Sequence, residues 1–255
     1  MPERSVRPLK VGLMLPTGEG QMAGGTARWN DIKTMVLQAE AGGFDSIWIQ
    51  DHLLFDFGDP GVPPAGIWEC WSLLAALAAV TTRVELGALV ACTSFRNPAL
   101  LAKMADTVDE ISGGRLILGL GAGYNEHEFR AFGYPFDHLV GRFEEALQII
   151  HTLLRKGTID FQGKYYEARA CDLRPRGPRR DGPPILIGAA PNRPRALRLT
   201  AQYADYWNIF SVNEVTNLAP AREAMDAACV KAGRDPAMLQ LTVTVLIDLP
   251  GSESE

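Results

Sequence analysis

The chain contains few cysteines, and they lie far apart. The four cysteines among 255 residues match no ligand spacing of a zinc or iron–sulfur site, so we predict no metal site. Isolated cysteines of this kind are typical of reduced, mostly buried thiols in an intracellular protein. They are Cys70, Cys92, Cys171 and Cys229.

Long apolar segments are missing as well. The longest apolar run, Leu73–Val80, is far too short to cross a bilayer. Residues 1–7 are mostly polar and carry no apolar core like that of a signal peptide. We therefore expect a soluble cytoplasmic protein with no membrane partner.

An excess of positive charge is absent too. The net charge of −5 and the pI near 5.5 argue against a nucleic-acid partner, because binding phosphates requires a basic surface. One Pro- and Gly-rich stretch carries several arginines, and we interpret it as a solvated loop. These arginines are Arg174, Arg176, Arg179 and Arg180.

Apolar runs of strand length alternate with stretches of helical periodicity along most of the chain, which predicts a parallel α/β fold. The runs are almost continuously hydrophobic, as in strands that are covered on both faces in a barrel or in a doubly wound sheet. A chain of 255 residues that is 47% hydrophobic can bury the core of one α/β barrel. The predicted strands are Leu9–Leu15, Ser46–Gln50, Val84–Val90, Leu116–Leu120, Ile185–Gly188, Tyr206–Phe210 and Leu239–Leu246.

Local patterns also predict helices and one insertion. Apolar residues at helical spacing indicate an amphipathic helix over Arg142–Arg155, and Asn97 is suited to cap the helix that follows it. Residues from about 157 to 183 interrupt the alternation. We predict that this insertion lies on the barrel rim and contains a hairpin over Ile159–Tyr166 that turns at Gln162-Gly163.

The predicted strands are one short of a closed eight-stranded barrel. The chain stops soon after the seventh strand, whereas closure needs one more strand and helix. We expect a single domain over residues 1–255 whose C-terminus is truncated, so that the final βα unit is missing. A barrel that lacks its last unit has more reason to associate, and we therefore also expect a homodimer.

Small residues follow the strand Leu116–Leu120. Gly121, Ala122 and Gly123 leave the backbone accessible at the carboxyl end of this strand, which a flat ligand such as a flavin requires. The alternative is an ordinary strand-to-helix turn. Because other strands of the chain also end in small or polar residues, we favour the ligand.

Four motifs carry a resemblance to a known family: Gly43–His52, Arg96–Lys103, Ser112–Phe136 and Pro184–Ala190. In order and spacing they resemble the luciferase-like monooxygenase superfamily. The most similar branch contains probable oxidoreductases that depend on coenzyme F420, an 8-hydroxy-5-deazaflavin. The resemblance implies a TIM-type (β/α)8 barrel with an insertion hairpin, and a hydride transfer between F420 and an unidentified small organic substrate.

Active-site groups of such a barrel lie at the carboxyl ends of its strands. The resemblance implies that Asp51 and His52, directly after the second strand, contact the deazaflavin and are the catalytic pair. Imidazole exchanges protons near neutral pH, so His52 would be a proton donor or a polariser. The alternative is that Asp51 caps a loop and His52 is a half-buried structural residue.

The resemblance also places the rest of the ring-binding surface. It implies a non-proline cis peptide bond at Ala88-Leu89, in a bulge behind the central ring that includes Val90. Ala122, Gly123 and Tyr124 would line the cofactor. Sugar-phosphate dehydrogenases of the superfamily have a glutamate where this chain has Tyr124, so their substrate does not transfer to this protein.

The loop after the fifth strand is the predicted phosphate site. Gly188, Ala189 and Ala190 would expose backbone N–H groups, and Pro194 opens a helix whose N-terminus attracts anions. Arg193 could add charge-assisted hydrogen bonds. The loop is not a P-loop, because it lacks the Gly-Lys-Ser/Thr ending.

Other functions remain open from the sequence. A two-component monooxygenase would use reduced FMN and oxygen, and it needs the same flat pocket and phosphate site. A homologue that binds flavin without catalysis is a second alternative. The Asp51-His52 pair and the segment 112–136 disfavour an unrelated phosphate-handling barrel. The expected partners are a small-molecule substrate and a flavin or F420 reductase.

Overall fold

The computed structural model describes residues 9–23, 25–56, 61–210 and 218–247. The chain divides into two compact units, Met1–Pro183 (unit 1) and Pro184–Glu255 (unit 2). The expectation of one domain over residues 1–255 stays a prediction. Within the described residues, no helix combines the length and the apolar character that crossing a membrane would require.

Strands and helices alternate along unit 1. Its strands are β1 (Gly12–Met14), β2 (Ser46–Ile49), β3 (Leu54–Phe55), β4 (Ala65–Gly66), β5 (Glu85–Ala88), β6 (Ala91–Cys92), β7 (Leu116–Gly121), β8 (Thr158–Gln162) and β9 (Glu167–Asp172). Its helices are α1 (Trp29–Ala41), α2 (Cys70–Val80), α3 (Pro98–Ser112), α4 (Glu126–Ala131) and α5 (Leu139–Lys156).

The main sheet of unit 1 is parallel. Strand β1 pairs with β2, β2 with β5, and β5 with β7, while β6 forms a further parallel pair with β7. Every residue of β7 is buried, as its continuous hydrophobicity predicts. Since parallel strands point the same way, the segments that follow β2, β5 and β7 leave the sheet at one edge.

Capping residues define the helices that pack on this sheet. The Asn97 side chain accepts hydrogen bonds from the amides of Ala99 and Leu100 at 2.9 and 3.2 Å, which confirms its predicted role as N-cap of α3. Gly113 ends α3 with φ +67°, a left-handed conformation that favours glycine. The amphipathic helix predicted over Arg142–Arg155 is confirmed as α5.

The predicted hairpin is present, but its turn is longer than expected. Strands β8 and β9 are antiparallel, and the chain reverses over residues 163–166 rather than at Gln162-Gly163 alone. The reason is Glu145 of α5, whose carboxylate accepts hydrogen bonds from the amides of residues 164, 165 and 166. The Glu145 carboxylate of α5 therefore stabilises a four-residue turn in place of a two-residue one.

The arginine-rich segment that follows β9 is only partly solvated. The side chain of Arg174 is 80% exposed, as predicted, but the prediction is wrong for Arg176 and Arg179. Arg176 donates to the carbonyl of Leu154 at 2.6 Å, and Arg179 donates to the buried carboxylate of Asp109. Two buried acceptors therefore fasten this segment to the helices of unit 1.

Unit 2 repeats the βα pattern. It consists of β10 (Ile185–Gly188), α6 (Pro194–Tyr203), β11 (Tyr206–Phe210), α7 (Leu218–Lys231) and β12 (Gln240–Thr244). Strand β10 pairs in parallel with β11, and β11 with β12. With the strands of unit 1, these account for all seven strands predicted from the sequence.

Candidate active site

The turn after β2 is anchored by an ion pair. Both terminal nitrogens of Arg96 donate to the Asp51 carboxylate, at 2.7 and 2.9 Å, and the amide of Cys92 donates to it at 2.9 Å. The Asp51 side chain is 0% exposed. Burial raises the pKa of this carboxyl, and the neighbouring Arg96 charge opposes the shift.

The ion pair gives Asp51 a structural role. Both of its oxygens are bonded to protein atoms and none of its side chain is exposed, so its carboxylate holds the turn in place, as in the alternative given by the sequence. The predicted cofactor contact and acid/base role of Asp51 stay predictions. Arg96 extends the anchor to Glu69, the N-cap of α2, through a contact of 2.7 Å.

His52 is the partly exposed member of the predicted pair. Its side chain is 18% exposed, and its ring lies edge-on to Phe55 and Tyr124 with centroid distances of 4.6 and 5.7 Å. Its Nδ1 atom lies 2.9 Å from Oε1 of Glu128. The other oxygen of Glu128 accepts from the amide of Leu53, also at 2.9 Å.

Glu128 was not among the site residues predicted from the sequence. This residue lies 76 positions from His52, on a helix of only six residues that also carries Glu126. No pattern in the sequence distinguishes the two glutamates, because their difference is positional. Glu128 is buried with 1% exposure, whereas Glu126 forms a surface pair with Arg130.

Helix α4 holds Glu128 in place. Asn125 caps the helix by accepting from the amide of His127, and its side-chain amide donates to the carbonyl of Leu54 at 3.0 Å. The next residue after Glu128, Phe129, is fully buried against Cys92 and Phe95. The loops after β2 and β7 are therefore joined by hydrogen bonds above an apolar cluster.

The bulge between β5 and β6 differs from the expectation by one residue. The non-proline cis bond is Leu89-Val90, not Ala88-Leu89. The amide of Leu89 donates to the carbonyl of Ile49 at 2.8 Å, so the hydrogen bonds to β2 continue up to this residue. Ala88 is buried, while Leu89 and Val90 are half-buried.

The glycines of β7 accommodate this bulge. A Cβ atom at Gly121 would lie 2.6 Å from a methyl group of Val90, and one at Gly119 would collide with the carbonyl oxygen of Ala88. Gly123, with φ +80°, faces the sulfur of Cys92. These glycines are required by packing within the protein, so their presence alone does not indicate a ligand.

Two residues beyond β7 reach the surface. Ala122 is half-buried, and Tyr124 is 68% exposed with its ring against His52. Burial raises the pKa of the Tyr124 hydroxyl, and the negative charge of Glu128 adds to the shift. Contacts of Ala122, Gly123 and Tyr124 with a cofactor stay predictions.

In unit 2, the loop after β10 makes a tight turn into α6. The Ala189 amide donates to the carbonyl of Asn208 at 3.2 Å, so this N–H group is used within the sheet and is not offered to a phosphate. The Arg193 amide donates to the carbonyl of Ala190 at 3.2 Å. Arg193 is the N-cap of α6 and makes no side-chain hydrogen bond to the helix.

The sheet of unit 2 contains a polar group that the sequence did not predict. Asn208 of β11 is buried, and its side-chain amide donates to the hydroxyls of Thr242 and Thr244 on β12, at 2.9 and 3.1 Å. The alternation of Thr242 and Thr244 along β12 is the signal that places them on one face. In the described part of the chain, no three His, Cys, Asp or Glu side chains form a metal site.

Comparison with known sequences gives a family match over almost the whole chain. The profile described as luciferase-like monooxygenase matches residues 9–249. A pyrimidine monooxygenase RutA from Stutzerimonas stutzeri is 36% identical over 209 residues, which cover 79% of this chain and 56% of that protein. A RutA from Agrobacterium fabrum is 32% identical over 93% of this chain and 67% of its own length.

Solved structures agree on the fold. An F420-dependent secondary alcohol dehydrogenase with an F420–acetone adduct matches with a TM-score of 0.77 at 20% identity, covering 92% of this chain and 68% of that one. A riboflavin lyase with modified FMN and riboflavin matches with a TM-score of 0.77 at 16% identity, over 93% and 62%. These matches confirm the predicted α/β fold of the TIM-barrel type. The chain spans between about half and two thirds of the length of the relatives named here.

Proposed function

Because the chain belongs to the luciferase-like monooxygenase family, we propose that it is a flavin-dependent monooxygenase. It would take reduced FMN from a separate reductase and oxidise a small organic substrate. This was the alternative in the sequence analysis, and it now replaces F420-dependent hydride transfer as the leading candidate. The predicted homodimer stays a prediction.

Sequence similarity supports this order of the two candidates. The relatives named as monooxygenases are 32–37% identical to this chain. The F420-dependent proteins named among the solved structures are only 20–22% identical to this chain. Identity at this level supports a shared fold but not a shared cofactor. F420 therefore remains the second candidate, favoured by the motif resemblance.

The residues of unit 1 fit a flat redox ring. Leu89 and Val90 present half-buried apolar side chains at the sheet edge where Ala122 and Tyr124 also emerge. A tricyclic ring needs such an apolar floor with a few polar groups beside it. When bound, reduced flavin supplies two electrons to O2, so that one oxygen atom enters the substrate and the other leaves as water.

The loop of unit 2 fits a phosphate. Gly188 and Ala190 add little side-chain bulk, and the exposed Arg193 lies at the N-terminus of α6. A helix N-terminus and a guanidinium both favour an anion. We assign Ala189 a structural role in this loop, because its amide and its carbonyl are bonded to the neighbouring strand.

His52 would be the catalytic residue. The observation that carries this proposal is the position of the His52 ring. It is partly exposed at the edge of the sheet, and its Nδ1 atom is hydrogen-bonded to the buried Glu128. An imidazole in this position can hold a proton against the cofactor or the substrate, or take one from it, near neutral pH. Excluding water from this edge of the sheet would strengthen the hydrogen bonds of His52 to the cofactor or to the substrate.

Oxygen incorporation tests the proposal. Purified protein is supplied with FMN, NADH, a flavin reductase and ¹⁸O₂, and a panel of small cyclic amides is searched by mass spectrometry. Uracil is the first compound to assay, because the relatives carry the name pyrimidine monooxygenase. One ¹⁸O atom per product molecule is the expected result, with a rate that falls in His52→Gln and is unchanged in His127→Gln.

Three outcomes would contradict the proposal or a part of it. Turnover with reduced F420 and none with FMN would restore hydride transfer as the function. Binding of FMN with no turnover of any compound would favour the non-catalytic homologue instead. Unchanged rates in His52→Gln would remove the role given to that side chain.

A further inference from the structure

We propose that Glu128 is a positioning residue that fixes the tautomer of His52. Its carboxylate holds the proton of the neutral imidazole on Nδ1, which leaves Nε2 as the nitrogen that exchanges a proton with a ligand. The catalytic meaning of this arrangement rests on the function proposed above. The tautomer itself does not, and it can be measured without turnover.

The two hydrogen bonds of Glu128 determine the direction of the contact. An ionised carboxylate only accepts, so the ring nitrogen that faces Oε1 at 2.9 Å must donate. The Leu53 amide donates to Oε2 at 2.9 Å and so fixes the rotation of the carboxyl group. With both oxygens engaged, Oε1 can only face the imidazole.

Glu128 cannot turn away from His52 toward water. It is 1% exposed and lies between two anchors of α4, the cap formed by Asn125 and the buried ring of Phe129. A buried carboxylate keeps its hydrogen-bond partners because losing one leaves a desolvated charge. The contact with His52 is therefore a fixed part of the fold.

The Glu128 carboxylate also determines the orientation of the His52 ring. Phe55 and Tyr124 lie edge-on to the imidazole and offer it no hydrogen-bond acceptor in these contacts. A ring flip would exchange Nδ1 for a carbon and would leave Glu128 Oε1 without its partner. Orientation and tautomer thus depend on the same carboxylate, as in other sites where a carboxylate orients a histidine.

Nitrogen NMR on protein labelled at its four histidines tests the inference directly. At a pH where the ring is neutral, wild-type His52 should show a protonated Nδ1 and an unprotonated Nε2. The signal is assigned by its loss in His52→Gln. Wild-type protein with the proton on Nε2 would overturn the proposal, and this measurement needs no Glu128 variant to fold.

Glu128→Gln provides a second measurement. The oxygen of the new amide must accept from Leu53, so its NH₂ group faces Nδ1 and the proton of His52 moves to Nε2. The matched control Glu126→Gln, on the exposed face of the same helix, should retain the wild-type tautomer. An unchanged tautomer in a folded Glu128→Gln protein would overturn the proposal.

Kinetics separate this inference from the proposed function. If both hold, Glu128→Gln should lose about 10²-fold in kcat, at the lower end of the range for general acid–base catalysis, with little change in KM. If the proton of His52 moves to Nε2 in Glu128→Gln but the wild-type protein oxidises nothing, the positioning role stands and the proposed function fails. A reversed tautomer with full activity would show that His52 transfers no proton.

Discussion

Asp51 and Arg96 form a bidentate ion pair in which the carboxylate has no exposed area. The pair joins the turn that carries His52 to the residue that precedes the N-cap of α3. Removing one partner from a buried pair leaves an uncompensated charge, which costs more than the pair contributes. The turn that carries His52 therefore depends on Arg96, which lies 45 residues from Asp51 in the sequence.

Replacing Arg96 with methionine should destabilise the protein. We expect the free energy of unfolding to fall by about 3 kcal/mol, because the Asp51 carboxylate loses both guanidinium bonds. Urea denaturation measures the loss. The control is Arg130→Met, whose surface pair with Glu126 should contribute less than about 0.5 kcal/mol.

The loss in Arg96→Met should also depend on pH. Burial already raises the pKa of Asp51, and in this variant the Arg96 charge no longer opposes the shift, which leaves the hydrogen bond from the Cys92 amide to oppose it. The folded state then binds the proton more tightly than the unfolded chain, so stability falls as the pH rises above the usual aspartate pKa. Denaturation in acid should show a smaller loss than at neutral pH, and an equal loss would contradict this assignment.

Gly121→Ala should strain the contact between β7 and the bulge. The new Cβ would lie 2.6 Å from a Val90 methyl group, and overpacking of this kind costs about 1–3 kcal/mol. Val90→Ala removes that methyl group, so the double variant should recover part of the loss. Thermal melts of the three variants measure the coupling, and additive losses would refute the collision.

Arg179→Gln should loosen the segment that follows β9. The substitution removes the guanidinium from the Asp109 carboxylate, whose side chain is 0% exposed, and we expect a loss of about 3 kcal/mol. Arg180→Gln, at an exposed neighbouring position, is the matched control. Native-state proteolysis should cut this segment faster in Arg179→Gln alone. Equal cleavage of both variants would mean that Asp109 does not hold the segment.

The cysteines should differ in reactivity. Burial raises the pKa of Cys92 to about 12 and that of Cys70 well above its ordinary value, so neither forms the reactive thiolate near neutral pH. Cys171 is only half-buried. Alkylation of the native protein followed by mass spectrometry should modify Cys171 first, and rapid modification of Cys92 would contradict the packing of the bulge.

Much of the fold could be predicted from the sequence because its signals are local. Continuous apolar runs gave all seven strands, and Asn97 marked the start of α3. The partners of His52, Arg176 and Arg179 could not be predicted, because each lies more than twenty residues away and comes close only in the folded chain. A charged residue in a loop looks solvated until its buried acceptor is known.

In the candidate site, too, local features could be predicted from the sequence and contacts between distant residues could not. The carboxyl ends of strands were predictable positions, since parallel strands share one edge. The sequence could not tell that Asp51 is buried while His52 is partly exposed, because the partners that enclose Asp51, Cys92 and Arg96, lie 41 and 45 residues away. The sequence also did not distinguish Leu89-Val90 from Ala88-Leu89 as the cis bond, because no residue pattern marks that position.

Cofactor titration tests the central claim most directly. Wild-type protein is added to FMN and, separately, to F420, and the fluorescence of each is followed. We predict saturable quenching of FMN at a stoichiometry of about one per chain, with little response from F420. Saturable quenching of F420 with no response from FMN would contradict the proposed flavin dependence.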